Sequence, residues 1–210
     1  ASGDARISRI RLPRIGGPVG QRECHVISAG TAVYLAGLAL AEALRVPQRI
    51  ARRGSPSARR QSRRGALGPD GAVVLAIALG IWILPLVHVL TRWLQRFDYS
   101  CPAWSVWAAS AVFGAGLVIR WRAQRTLGRH WSPTPGVRDG QALVRTGIYG
   151  QIRHPIYASL VLWAAAQPFL LQNVVAGWAG AAAVALIWLV RVPREEAMLL
   201  DAFGSEYRQY

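Results

Sequence analysis

Apolar runs of 16 to 20 residues alternate along this chain with Arg-rich stretches. Five runs stand out: Val26 to Leu44, Ala72 to Leu90, Ala103 to Ile119, Ile156 to Leu171, and Val174 to Val190. A helix rises 1.5 Å per residue, so about 20 residues cross the roughly 30 Å hydrocarbon core of a bilayer. The first three runs and the fifth are long enough to span with help from interfacial residues. The fourth is short, carries Gln167-Pro168, and is separated from the fifth only by Gln172-Asn173. So short a connection predicts an antiparallel helical hairpin turning at the far membrane surface, which leaves few backbone polar groups in lipid. The expected fold is all-α: a polytopic integral membrane protein of about five transmembrane helices ending in a helical hairpin.

Composition sharpens that picture. Of 210 residues, 52% are apolar, yet 25 basic residues face only 10 acidic ones, for a formal net charge of +15, and every basic residue is Arg. Nine Trp fit a chain that meets membrane–water interfaces. These features exclude a disordered tail, a disulfide scaffold and a small soluble enzyme. Cys24 and Cys101 lie apart and read as reduced thiols, and His25, His88, His130 and His154 lack zinc-ligand spacing, so no metal is expected.

The chain divides into a basic lead-in (1–25), a region of three helices with a basic 45–71 loop (26–119), and a C-terminal region holding the chemistry (120–210). Ala39-Leu40-Ala41 resembles a signal-cleavage site, but the eight Arg that follow between 45 and 64 resist export. With five spans, eighteen Arg fall on one side and seven on the other. The positive-inside rule then places the long loops and the C-terminus in the cytoplasm, with the five N-terminal Arg discordant. The Arg pairs of the 45–70 loop have no interleaved aromatics, so anionic lipid headgroups, not nucleic acid, are their expected partners.

Chemistry concentrates in the second long loop and the tail. Leu143-Val144-Arg145-Thr146-Gly147-Ile148-Tyr149 leads to Arg153-His154-Pro155-Ile156-Tyr157 at the mouth of the fourth span. After the fifth span come Arg191, Arg194-Glu195-Glu196 and Phe203-Gly204-Ser205-Glu206-Tyr207, a pattern expected to form a short amphipathic helix at the cytoplasmic surface. The hairpin brings both groups to the same end of one helix pair. His154 and Tyr157, three apart, are helix-face neighbours if the helix already includes His154, and Arg191 and Glu195, four apart, are so if Pro193 sits near a helix start. A carboxylate there can hold an α-amino group, and aromatics can cover an adenine or a sulfonium. Singly, each residue has a plainer reading. Arg153 serves as a positive-inside anchor, His154-Pro155 as a helix start, Glu195 and Glu196 as first-turn acids, and Trp131, Tyr149 and Tyr157 as belt residues.

Jointly, L-V-x-x-G-x-Y-x-x-x-R-H-P-x-Y, followed across a tight hairpin by R-x-x-x-E-E and F-G-x-E-Y, resembles the isoprenylcysteine carboxyl methyltransferase family, whose wider relatives include the membrane phospholipid methyltransferases. The resemblance covers roughly residues 115 to 210. It implies an integral-membrane methyltransferase that uses S-adenosylmethionine and acts on a lipophilic acceptor, an isoprenylcysteine-like carboxylate above all. By motif position it gives the cofactor to Gln141, Ala142, Leu143, Val144, Tyr149, His154, Pro155, Ile156, Tyr157 and Glu195, and makes Arg191 the catalytic, substrate-contacting residue. This chain departs from the family in having Gln141 where His is frequent and Ala158-Ser159 where a Gly commonly follows the second motif. Two other classes compete: a sterol-type membrane reductase using NADPH, disfavoured by the short chain and the absence of G-x-G-x-x-G, and a non-catalytic adaptor binding lipid through its basic loops.

Overall fold

The computed structural model describes residues 19–47, 50, 69–91, 93–128 and 143–210. Among them the chain is all-helical, with no strand, as the run pattern predicts. Helix α1 covers Val19–Ala43; α2 (Pro69–Ile77) passes through a π-helical stretch, Ala78–Ile83, into α3 (Leu84–Leu90). Helix α4 is Ala103–Leu127, α5 is Pro155–Leu171 and α6 is Val174–Leu186. A second π-helical stretch, Ile187–Arg191, joins α6 to α7 (Val192–Gln209).

Three helical segments are long and apolar enough to cross a membrane: Asp70–Leu90, Ala103–Leu127 and Val174–Gln209, with mean hydropathies of 2.6, 1.3 and 1.8. Of the five spans expected, three are long and apolar enough to cross among the described residues. Two shorter apolar helices, Ala29–Ala43 and Pro155–Leu171, make up the rest. Gly30, Tyr34, Gly37 and Leu38 of the first run are buried against neighbouring helices. Large apolar side chains remain exposed all round, including Trp93, Trp104, Trp107 and Trp178, as suits surfaces in contact with lipid.

Both π-helical stretches lie just upstream of a proline. Pro85 and Pro193 are each the second residue of the α-helix that follows. Proline has no N–H to close the i→i−4 bond, and its ring crowds the carbonyl four residues back, so the helix widens there. At the first stretch the Ile81 carbonyl, four residues before Pro85, accepts a hydrogen bond from Tyr34 Oη at 2.7 Å. Trp163 Nε1 in turn donates to Tyr34 Oη at 3.4 Å. Tyr34, Phe113 and Trp163 form a buried aromatic trio with centroids 4.6 to 6.0 Å apart, tying α1, α4 and α5 together.

The hairpin forms as its sequence predicts. Gln172 closes α5 with a left-handed conformation (φ 48°), and the Asn173 side chain caps α6 by accepting from the Ala176 N–H. Asn173 Nδ2 also donates to the Leu94 carbonyl at 2.8 Å and to Asp98 Oδ1 at 2.6 Å, which pins the tip to the 93–100 connection. Gln167, the polar residue carried by the fourth run, is fully buried and donates to the carbonyls of Gly80 and Ala176. It joins the first π-helical stretch to α6 in the manner of polar glue between membrane helices.

Candidate active site

At the opposite end of the hairpin, the start of α5 meets the second π-helical stretch and α7. Tyr157 Oη donates to Glu195 Oε2, and the same phenol interacts with the Arg191 guanidinium. Arg191 is buried at 7% exposure and immediately precedes α7, with Pro193 in that helix's first turn. A carboxylate, a phenol and a guanidinium thus converge from two helices. His154 is the non-helical N-cap of α5 (φ −121°, ψ 62°), so it precedes the helix. Its ring nonetheless stacks on Tyr157, at 5.5 Å between centroids and 25° between planes. Pro155 occupies the first helical position, where a missing N–H costs nothing, and is buried.

The tail folds back over this site. The amphipathic helix expected of the tail is α7, which continues α6 through the wide turn and turns a face, with Val192 and Tyr207 buried, toward the 143–154 segment. The continuity follows from proline's tolerance in a first helical turn, which lets the chain cross Pro193 without breaking. Gly204 (φ 53°) kinks α7, a backbone state that favours glycine. Beyond the kink, Tyr207 and Tyr210 place their rings 5.6 and 5.8 Å from the Arg153 guanidinium. Tyr210 Oη donates to the Tyr149 carbonyl, and Arg145 pairs with Glu206 at 2.6 Å.

Glu196 sits at the centre of these contacts. Its Oε1 lies 2.5 Å from His154 Nε2 and accepts from Tyr207 Oη at 2.7 Å, while Arg153 Nη1 is 4.0 Å from Oε2. Partial burial pushes this carboxyl up, but the bonds from Tyr207 and His154 and the charge of Arg153 outweigh it and hold Glu196 below the usual carboxylate range. Burial and then the nearby Glu195 charge push the Tyr149 phenol well above its ordinary value, so it stays protonated.

The structure therefore brings together Tyr149, His154, Tyr157, Arg191 and Glu195, with Pro155 and Ile156 in the first turn of α5 between His154 and Tyr157. Leu143 and Val144 are half-buried on the segment leading to the 3-10 turn Gly147–Gly150. That turn docks on α4 through Gly147 (φ 59°), where a Cβ would crowd Thr126. Gln141 and Ala142 lie outside the described residues. Glu196, Tyr207 and Tyr210 were not singled out as site residues from sequence. Glu196 and Tyr207 stand eleven residues apart, about 16 Å along a straight helix, so only the Gly204 kink lets them meet and helical spacing gave no signal of the contact. Below Tyr157, Val161, Ala165 and Pro168 of α5 and Trp178, Ala181 and Ala185 of α6 line an apolar groove of about 500 Å³.

Residues 108–201 match the isoprenylcysteine carboxyl methyltransferase family, so the resemblance seen in the motifs holds across most of the C-terminal half. A protein-S-isoprenylcysteine O-methyltransferase of Dictyostelium discoideum is 27% identical over 133 residues, 60% of this chain and 54% of that protein. Protein-S-isoprenylcysteine O-methyltransferase B of Arabidopsis thaliana is 31% identical over 97 residues, 45% of this chain and 49% of that protein. The Homo sapiens protein-S-isoprenylcysteine O-methyltransferase is 33% identical over 72 residues, 34% of this chain and 25% of that protein. The chain thus spans about half the length, or less, of these relatives.

Proposed function

We propose that this chain is an integral membrane methyltransferase that moves a methyl group from S-adenosylmethionine to the carboxylate of an isoprenylcysteine-like lipophilic acceptor, at the cytoplasmic face. The observation that carries the reading is the meeting of Glu195, Tyr157 and Arg191 at one end of the hairpin, within the stretch that matches the family.

The donor set fits an amino-acid headgroup joined to a sulfonium. Glu195 offers a carboxylate for an α-ammonium, and Tyr149, His154 and Tyr157 offer aromatic faces for a cationic or planar group. Gln141, Ala142, Leu143, Val144, Pro155 and Ile156 complete the proposed cofactor contacts by their motif positions. When bound, S-adenosylmethionine would supply an electrophilic methyl carbon on a sulfonium, to which an acceptor carboxylate oxygen bonds in line as the C–S bond breaks and S-adenosylhomocysteine leaves as a neutral thioether. The acceptor is already ionised near neutral pH, so the protein need not remove a proton.

Positioning is then the main task of the residues present. Arg191 meets the acceptor carboxylate through charge-assisted hydrogen bonds and aims one oxygen at the methyl carbon. Its burial shields that contact from water, which strengthens it. Tyr157 holds Glu195 and Arg191 in a fixed mutual relation. The apolar groove that begins one turn beyond Tyr157 offers a course for a lipid tail while the head stays at the hairpin end.

The test is methyl transfer by the detergent-purified protein from labelled S-adenosylmethionine to a small S-prenylated cysteine, run beside its carboxamide. Transfer to the acid alone, as a base-labile ester, is the expected result. Transfer to the carboxamide, or none to either by a folded sample that binds S-adenosylhomocysteine, refutes the carboxylate assignment.

A further inference from the structure

Glu196 stands beside Glu195 in sequence, and the two carboxylates have different surroundings. Glu195 meets Tyr157. Glu196 is engaged through both oxygens within the protein, by His154 and Tyr207 on one and Arg153 on the other. An ionised carboxylate only accepts hydrogen bonds, so His154 Nε2 must carry the proton it shares with Glu196 at 2.5 Å. That bond selects the ring's tautomer and sets its plane, since the imidazole torsion is otherwise soft. What His154 still presents is Nδ1 and a ring face stacked on Tyr157. Three chain segments are needed to hold this arrangement: the N-cap of α5, the first turn of α7, and the turn after the Gly204 kink that supplies Tyr207.

We propose that Glu196 is a positioning residue for methyl-donor binding and that it acts through His154, with Tyr207 orienting the carboxylate. The inference rests on the preceding reading that His154 helps to hold the donor. Glu196 itself touches neither donor nor acceptor.

The test is a double-mutant cycle on S-adenosylhomocysteine affinity, measured by calorimetric titration of the full chain in detergent. Glu196→Ala weakens binding about tenfold, the cost of one orienting hydrogen bond. Glu196→Gln, whose amide oxygen still accepts from Nε2–H, keeps most of the affinity. Adding Glu196→Ala to His154→Ala costs no more than His154→Ala alone, because a residue acting through another has nothing left to act on. A further tenfold loss in the double variant, or a Gln variant as weak as the Ala variant, overturns the proposal. If Glu196→Ala does not fold, Glu196→Asp takes its place in the cycle, since it keeps the charge but withdraws the carboxylate by one methylene. Nitrogen NMR of histidine-labelled protein gives an independent readout. The resonance lost in His154→Ala must report an Nε2-protonated ring, and its shift must change in the Glu196 variant; an unchanged shift also overturns the proposal. A folded wild-type chain that fails to bind S-adenosylhomocysteine strikes the proposed function, whereas good wild-type binding with an additive cycle strikes this inference alone.

Discussion

Replacing Glu195 by Gln isolates the charge of one carboxylate with little change of shape. The amide oxygen can still accept the Tyr157 hydroxyl bond, so the packing of α7 against α5 is preserved. What disappears is the anion proposed to hold the α-ammonium of the donor. A charge-assisted hydrogen bond contributes about 1.5–3 kcal/mol, which corresponds to about 10- to 150-fold in affinity. S-adenosylhomocysteine is the suitable probe, because it keeps the amino-acid headgroup and lacks the sulfonium, so the amino contact is read by itself. Calorimetric titration of wild-type and variant protein in the same detergent, with matched melting curves, gives the ratio directly. A Glu195→Gln protein that melts like the wild type and binds S-adenosylhomocysteine within about twofold of it refutes the assignment of this carboxylate to the headgroup. A loss much beyond the stated range signals that Tyr157 or Arg191 has moved as well.

Arg191→Ala is expected to leave S-adenosylhomocysteine affinity nearly intact while turnover falls steeply; lost donor binding with retained acceptor binding exchanges the two roles. Gly80→Ala places a Cβ against the Ala179 carbonyl where the first wide turn meets α6, so thermal melting should show a destabilisation of about 1–3 kcal/mol. The carboxyl of Glu196 is held below its usual value of 4.5, so its bonds to His154, Tyr207 and Arg153 add stability above that pH. That contribution is lost as pH falls through the depressed value. The melting-temperature gap between wild type and Glu196→Gln should therefore narrow on acidification below about 4.5, and a gap constant from pH 7 to 3 contradicts the pairing.

The hairpin was legible because two residues, Gln172 and Asn173, can only join antiparallel neighbours, and Asn173 is also a good helix cap. The gathering of Tyr157, Arg191 and Glu195 followed from that turn together with helical spacing. Less legible was the route through Pro85 and Pro193. A proline announces a disturbed helix, but whether the chain stops, bends or widens depends on the partner that takes the freed carbonyl, as Tyr34 takes that of Ile81. The role of Gln167 was not legible, because its two acceptors come from segments that hydropathy along the chain does not register. Glu196 was hidden for a similar reason: its partners His154 and Tyr207 lie forty-two and eleven residues away, one of them beyond a glycine kink.

The wide turn at Ile187–Arg191 also bears on how far this site can be treated as a transferable part. A π-turn holds one residue more than an α-turn, and an α-helix advances about 100° per residue. A chimera that joined α7 to a straight helix, omitting the residue stored in that turn, would swing Glu195 and Glu196 by more than a quarter revolution relative to Tyr157 and His154. The graft would fold as a helix and present its acids to the wrong neighbours. The smallest exchangeable unit of this chemistry therefore runs from before Ile187 through Tyr207, and alignments that slide across the wide turn without a gap will pair the wrong side chains.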